Sequence, residues 1–279
     1  MGEMTGRVCV VTGASGGIGQ ATAVELARRG ATMVLVARSR ERGQAVASQI
    51  ERDTGRRDTR LVLADLSRQA EVRRAAGEIL AACPRVDVLV NNAAVYTRKR
   101  TLTSDGIETQ WAVNHLAPFL LTHLLLPRLV ESAPSRVVTI SSNAHQAGEL
   151  RWDDLEMKAR RYRGFRQYAN TKLANALFTR ELARRTMGMG VTANAVHPGV
   201  VATPLLLNGF PPIRLFRRWM RTPEQGAATP VYLATSPEVA TVTGQYFVDE
   251  RPVPLTPVAT DDEAARRLWE ISERAVGLG

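Results

Sequence analysis

Seven short apolar runs rich in β-branched residues recur along the chain, at residues 8–11, 32–36, 61–64, 86–90, 136–140, 191–196 and 246–248, with helix-compatible sequence between them. A strand with one wet face alternates apolar and polar residues, whereas these runs are almost continuously apolar and must be buried on both faces. Alternation of such strands with helices predicts a Rossmann-like, doubly wound, seven-stranded parallel sheet with helices on both faces. The 279 residues, 44% of them hydrophobic, suffice for one continuous core. With no repeat, low-complexity tract or linker, residues 1–279 read as a single domain.

Between the first two runs, residues 18–29 place Ile18, Ala21, Leu26 and Ala27 among polar residues and stop at Gly30, a helix followed by a C-terminal glycine. Residues 104–130 read as a long helix disturbed near 114–118, because Pro118 has no N–H and clashes with the preceding turn. A second long helix spans 168–185, with Leu173, Ala176, Leu177 and Leu182 on its buried face. Two segments break the rhythm. Residues 143–167 form a polar, Arg-rich connection carrying Trp152, and residues 203–222 mix Leu205, Leu206, Leu207, Phe210, Leu215, Phe216 and Trp219 with Arg214, Arg217 and Arg218. Loops this long usually wall a binding site, so both segments are expected to act as substrate lids.

The formal charge of +10 invites a polyanion partner, but the distribution opposes it. Basic residues are paired locally with acids, as in Glu25 with Arg28 and Arg29, Glu71 with Arg73 and Arg74, and Glu181 with Arg184 and Arg185. That pattern describes solvated helix faces, so no nucleic-acid partner is expected. Cys9 and Cys83 are too few for a disulfide framework, and His115, His123, His145 and His197 lack ligand spacing, so no metal is expected. No apolar run approaches the roughly 18 residues of a membrane span, and the first residues lack a signal-like apolar stretch. A cytoplasmic setting is the expectation.

The segment Thr12-Gly13-Ala14-Ser15-Gly16-Gly17-Ile18-Gly19 follows the first strand and opens the first helix. Glycines there admit a tight turn and close approach to a pyrophosphate, while the helix N-terminus offers unpaired N–H groups and a positive dipole. A plain strand-to-helix turn would use similar residues. Gly13, Ser15, Gly16, Gly17, Ile18 and Gly19 are therefore candidate nucleotide contacts. At the end of the second strand, where a free 2′-hydroxyl would want an acid, the chain has Ala37 followed by Arg38, Ser39 and Arg40. Arg38 suits the 2′-phosphate of NADP(H). Asp65, followed by Leu66 beside the same site, could accept from the adenine amine or cap the following helix.

Tyr168 and Lys172 stand four apart on the second long helix and so share a face. A tyrosine with an ordinary pKa of about 10 is a poor acid-base catalyst near neutrality, and lowering it by roughly 3 units takes about 4 kcal/mol, much of which a nearby ammonium can supply.

Taken in order, Thr12-Gly13-x-x-x-Gly17-x-Gly19, Asn91-Asn92-Ala93, Ser142, Tyr168-x-x-x-Lys172 and Pro198-Gly199 resemble the short-chain dehydrogenase/reductase family, over nearly the whole chain. Asn114-His115-Leu116-Ala117-Pro118-Phe119-Leu120-Leu121-Thr122, Asn170-Thr171-Lys172-Leu173-Ala174-Asn175 and Leu268-Trp269-Glu270 resemble its retinol dehydrogenase and WW-domain oxidoreductase branch. The resemblance implies a catalytic tetrad of Asn114, Ser142, Tyr168 and Lys172, with Ser141 as the alternative serine. It also implies cofactor contacts from Asn92, Ala93, Tyr168 and Lys172, and from Pro198, Gly199, Val201 and Thr203 near the nicotinamide carboxamide. Tyr168 would exchange a proton with the oxygen of a bulky hydrophobic alcohol, aldehyde or ketone. A non-redox cyclase or epimerase, or a nucleotide sensor, is the alternative on the same fold. A homodimer or homotetramer through the long helices is a further implication. Ala94 in place of glycine, Asn170 in place of serine and the long interval from Ser142 to Tyr168 depart from the family's commonest pattern.

Overall fold

The computed structural model describes residues 2–203, Leu205, Leu207 and residues 219–278. One eight-stranded sheet runs through it in the order β3-β2-β1-β4-β5-β6-β7-β8, from Arg60–Leu63 (β3), Thr32–Ala37 (β2), Val8–Thr12 (β1), Val88–Asn91 (β4), Ser135–Ile140 (β5), Val191–His197 (β6), Tyr246–Val248 (β7) and Arg251–Pro252 (β8). The first seven are mutually parallel. The eighth pairs antiparallel with β7 through a turn in which Asp249 and Glu250 both have positive φ. That two-residue edge strand escaped the sequence reading because Asp-Glu is not the glycine-bearing pair that announces such a turn. Strand order reverses between β1 and β4, the place where a doubly wound sheet opens a crevice at its carboxyl edge.

Side chains from the two faces of the sheet enter two separate cores. One contains Val10, Leu89, Val137, Leu120, Leu173 and Trp269, and the other Val11, Leu35, Val138, Leu26, Ile50 and Val231. Helix α1 (Gly17–Arg28) packs against α2 (Arg40–Thr54) and α7 (Pro223–Thr235) on one side. On the other lie α3 (Gln69–Ala82), α5 (Ala117–Glu131), α6 (Gly164–Arg185) and α8 (Asp262–Ala275). Gly30, at φ 99°, follows α1 as expected.

The long helix expected over 104–130 begins later. Glu108 accepts from the N–H groups of Gln110 and Trp111, capping a single turn, α4 (Thr109–Trp111). A π-helical turn, Ala112–Leu116, then leads into α5. The disturbance expected at 114–118 is that π turn, widened so that Ala117 donates to Ala112 rather than to Val113. The second long helix starts one turn before Tyr168, at Gly164.

Of the two expected lids, 143–167 is described throughout. It contains a 3-10 turn, Asn143–Ala147, and an irregular stretch leading to α6. Pro204, Leu206 and residues 208–218 lie outside the described residues, among them Phe210, Arg214, Leu215, Phe216, Arg217 and Arg218. Helix α8 lays Trp269 against Phe119 at 4.9 Å and Phe178 at 5.9 Å between ring centroids, so it covers part of α5 and α6. Among the described residues, no helix is long and apolar enough to cross a membrane and no His, Cys, Asp and Glu cluster fits a metal.

Candidate active site

A cavity of about 1030 Å³ opens along the carboxyl edge of the sheet. Its floor is the turn between β1 and α1, which is held from beneath by the end of β4. Thr12 Oγ1 accepts from the backbone N–H groups of Asn92 and Ala93 at 3.0 Å each, and Asn92 Nδ2 donates back to Thr12 O at 2.8 Å. A Cβ at Gly19 would stand 2.3 Å from that amide and 2.5 Å from Gly13 O, and one at Gly13 would meet Ala93 Cα at 2.9 Å. Gly13 (φ 66°) and Gly17 (φ 56°) also need the left-handed region. The turn is thus pressed onto β4, leaving Gly13, Ser15, Gly16, Gly17 and Ile18 on the cavity wall. Asn92 lines the cavity as well as bracing the turn, whereas Gly19 lies behind the wall against that brace.

Farther along, Arg38, Asp65, Leu66 and Ala93 line the same wall. Asp65 does not cap α3, whose N-cap is Arg68. Its carboxylate accepts from Ser67 N–H at 3.0 Å within the preceding turn. Arg42 lines the cavity beside Arg38, whereas Arg40 does not. The opposite wall carries Pro198, Gly199, Val201 and Thr203. That strap is latched by Arg221, which exchanges backbone hydrogen bonds with Val200 and Ala202 and forms a bidentate pair with Asp249 at 2.5 and 3.0 Å.

At the other end, the four tetrad candidates arrive from three places. The π turn carries Asn114, whose Oδ1 accepts from Val95 N at 2.8 Å while Nδ2 donates to Val95 O at 3.0 Å and to Thr171 Oγ1 at 3.2 Å. Pro118 has no N–H to give to the Asn114 carbonyl, so that oxygen lacks its α-helical donor. Ser142 follows β5, and its Oγ accepts from Ala144 N at 3.2 Å while the hydroxyl faces the Tyr168 phenol. The Ser141 hydroxyl is turned away and donates to Lys172 O at 2.8 Å. Lys172 Nζ lies 5.4 Å from the centre of the Tyr168 ring and donates to Ile140 O at 3.0 Å.

Burial pushes the Tyr168 phenol up to about 12, with the Ser142 hydroxyl drawing it partly back. This reverses the lowering expected from the sequence, because the desolvation of a phenolate outweighs what the partners here return. Burial lowers Lys172 to about 8, since the ammonium is the form that loses hydration. At neutral pH the pair is therefore a phenol beside an ammonium.

Comparison with known proteins gives the family. The family described as short chain dehydrogenase matches residues 7–210. The chain is a short-chain dehydrogenase/reductase. It is 44% identical to dehydrogenase/reductase SDR family member 13 of Bos taurus, over all of this chain and 75% of the relative, and 42% identical to human retinol dehydrogenase 14, over 99% and 88%. A solved short-chain dehydrogenase of Burkholderia cenocepacia, in complex with NADP, superposes with a TM-score of 0.72 at 28% identity, covering 88% of this chain and 96% of that one.

Within this short-chain dehydrogenase/reductase, two of the three departures from the family's commonest pattern have local explanations. Asn170 Oδ1 accepts from Glu149 N at 2.9 Å and so ties the long connection to α6. The connection is pinned again at Glu108, a fully buried carboxylate that accepts from Gln110 N and Tyr162 Oη on one oxygen and from Trp111 N and Gln167 Nε2 on the other, at 2.8–3.0 Å. Ala94 lines the cavity. Sequence reasoning missed Glu108, Tyr162, Arg42, Arg221 and the apolar wall of Val95, Tyr96, Val113 and Phe165. Only Arg42, one turn beyond Arg38, carried a legible signal.

Proposed function

We propose that this enzyme interconverts a carbonyl and an alcohol on a hydrophobic substrate, using NADP(H), with Tyr168 as general acid and base. The observation that carries the reading is the Tyr168 phenol, flanked by the Ser142 hydroxyl and the Lys172 ammonium, in a cavity continuous with the glycine turn. Glycines that leave no room for Cβ, together with Arg38 and Arg42, fit a phosphorylated dinucleotide, and the complex of the Burkholderia relative with NADP supports that choice. Bound NADP(H) supplies or accepts the hydride.

The protein's own groups handle the proton. In reduction, Tyr168 donates its O–H to the carbonyl oxygen and Ser142 donates a hydrogen bond to the same oxygen. The resulting phenolate is stabilised by the Lys172 ammonium beneath the ring, and the backbone oxygen of Asn114 offers an acceptor for a water serving Lys172. Val95, Tyr96, Val113, Phe165 and Leu205 present an apolar wall to the substrate. Because the phenol is pushed up and Lys172 lies near 8, the resting site is protonated for reduction at neutral pH. Reduction should decline as pH rises through about 8 and Lys172 loses its charge.

The test is NADPH oxidation with a panel of hydrophobic aldehydes and ketones. Tyr168→Phe should lower turnover by about 10³-fold, within the range for loss of a general acid. Unchanged turnover in Tyr168→Phe, or no NADPH-dependent reduction of any panel member, overturns the assignment.

A further inference from the structure

Immediately behind Ser142 lies a histidine that the proton path above does not use. His145 is 2% exposed and sits in the 3-10 turn Asn143–Ala147. Its backbone N–H donates to Ser142 O at 2.9 Å, as such a turn requires, and its Nδ1 reaches the same oxygen at 2.7 Å. A carbonyl only accepts, so Nδ1 carries the proton and the ring is the Nδ1–H tautomer. Burial lowers the ring's pKa and keeps it neutral. The turn is already closed by the backbone bond, so the second bond from a buried imidazole is not needed to form it.

Its effect falls on the serine. Ser142 is held at its carbonyl by two donors and at its Oγ by Ala144 N–H at 3.2 Å, which leaves the hydroxyl proton to be donated outward. The imidazole is fixed from the far side by the Tyr246 ring, 4.8 Å away between centroids on β7. Gly148 closes the segment against α6, where a Cβ would meet Ala169 O at 2.8 Å.

We propose that His145 is a positioning residue: its Nδ1–H on the Ser142 carbonyl, backed by Tyr246, sets the direction in which the Ser142 hydroxyl meets Tyr168 and the substrate oxygen. The inference rests on the proposed reductase reading. His145→Leu keeps the volume and removes the donor, while His145→Asn returns an N–H near the position of Nδ1.

In the full chain, His145→Leu should lower kcat about tenfold, less than the 10²-fold or more that follows loss of a direct donor, with the KM for NADPH unchanged. His145→Asn should recover most of the loss. In a Ser142→Ala background, His145→Leu should cost nothing further, because it acts only through that hydroxyl. A fold-change that persists undiminished in the Ser142→Ala background overturns the proposal, as does wild-type kcat in His145→Leu with NADPH affinity intact. Should His145→Leu fail to fold, Tyr246→Leu, which removes the backing ring, must show the same dependence on Ser142. If Tyr168→Phe and Ser142→Ala keep full activity, the reductase reading itself has failed; if they lose it and His145→Leu does not, only the positioning role has.

Discussion

The two ends of the cavity are built by different means. At the nucleotide end, seven consecutive residues, Gly13 to Gly19, make the turn, and what matters is the side chains they lack. At the proposed reacting end, the tetrad candidates Asn114, Ser142, Tyr168 and Lys172 come from a π turn, a strand end and a helix, and what would matter is side-chain chemistry under burial. The first end should therefore fail sterically, by changes that move backbone. The second should fail chemically, by changes that leave the fold intact or strengthen it.

The largest effect is expected from Gly19→Val. Its Cβ would enter Asn92 Nδ2 and Gly13 O, both part of the brace between β1 and β4. NADPH binding, followed by fluorescence titration, should be lost at any accessible concentration. Retained binding would mean that the turn is not pressed onto β4 as described.

Lys172→Met probes the other end. Turnover should fall by about 10²-fold or more, since the ammonium beneath the phenol is removed. Stability should move the opposite way. Lys172 has a pKa of about 8 in the folded chain against 10.5 ordinarily. The unfolded chain then holds the extra proton between those values, so stability rises with pH across that window, and at neutral pH the buried ammonium costs about 3 kcal/mol. Methionine fills the space without that cost, and urea unfolding at pH 7 should show a gain of about 1–3 kcal/mol. A loss of stability would show that the Ile140 hydrogen bond outweighs the desolvation.

The same contrast governs what the sequence reveals. The seven parallel strands, the glycine turn and the Tyr168–Lys172 face were legible because each rests on a local period or on neighbours a few residues apart. Glu108 was not legible. Its four partners include Tyr162 and Gln167, 54 and 59 positions away, and no local pattern marks an exposed-looking glutamate before a helix as the fully buried anchor of a long connection. The π turn was half legible: Pro118 announced a disturbance, but the accommodation of one extra residue depends on Asn114 bonding across to Val95. The direction of the Tyr168 shift was misjudged because a sequence shows the ammonium four residues away and does not show the depth at which the phenol lies.

Glu108→Ala sharpens this point. It would remove the shared acceptor of four donors, of which Gln167 Nε2 keeps Leu155 O and Tyr162 Oη keeps Thr97 Oγ1 while the N–H groups of Gln110 and Trp111 lose their cap, and the loss should reach about 3 kcal/mol, read as a lower urea midpoint. Because the network pins the connection next to Phe165, the KM of an apolar substrate should rise more than the KM of NADPH. Equal rises would place the damage in the whole sheet edge.

The smallest expected effect lies back at the nucleotide end, where charge supplements shape. Arg38 and Arg42 both line the cavity and make no ion pair among the described residues. A guanidinium at the end of β2 and another on the first turn of α2 can share one phosphate, so neither removal is absolute. Each charge-assisted bond contributes roughly 1.5–3 kcal/mol, so Arg42→Ala should weaken NADPH by about tenfold and leave NADH nearly unchanged. Arg38→Asp should do more to NADPH, by adding repulsion, and the double variant should favour NADH. If Arg42→Ala weakens both nucleotides alike, Arg42 supports the turn rather than the 2′-phosphate, and discrimination rests on Arg38 alone.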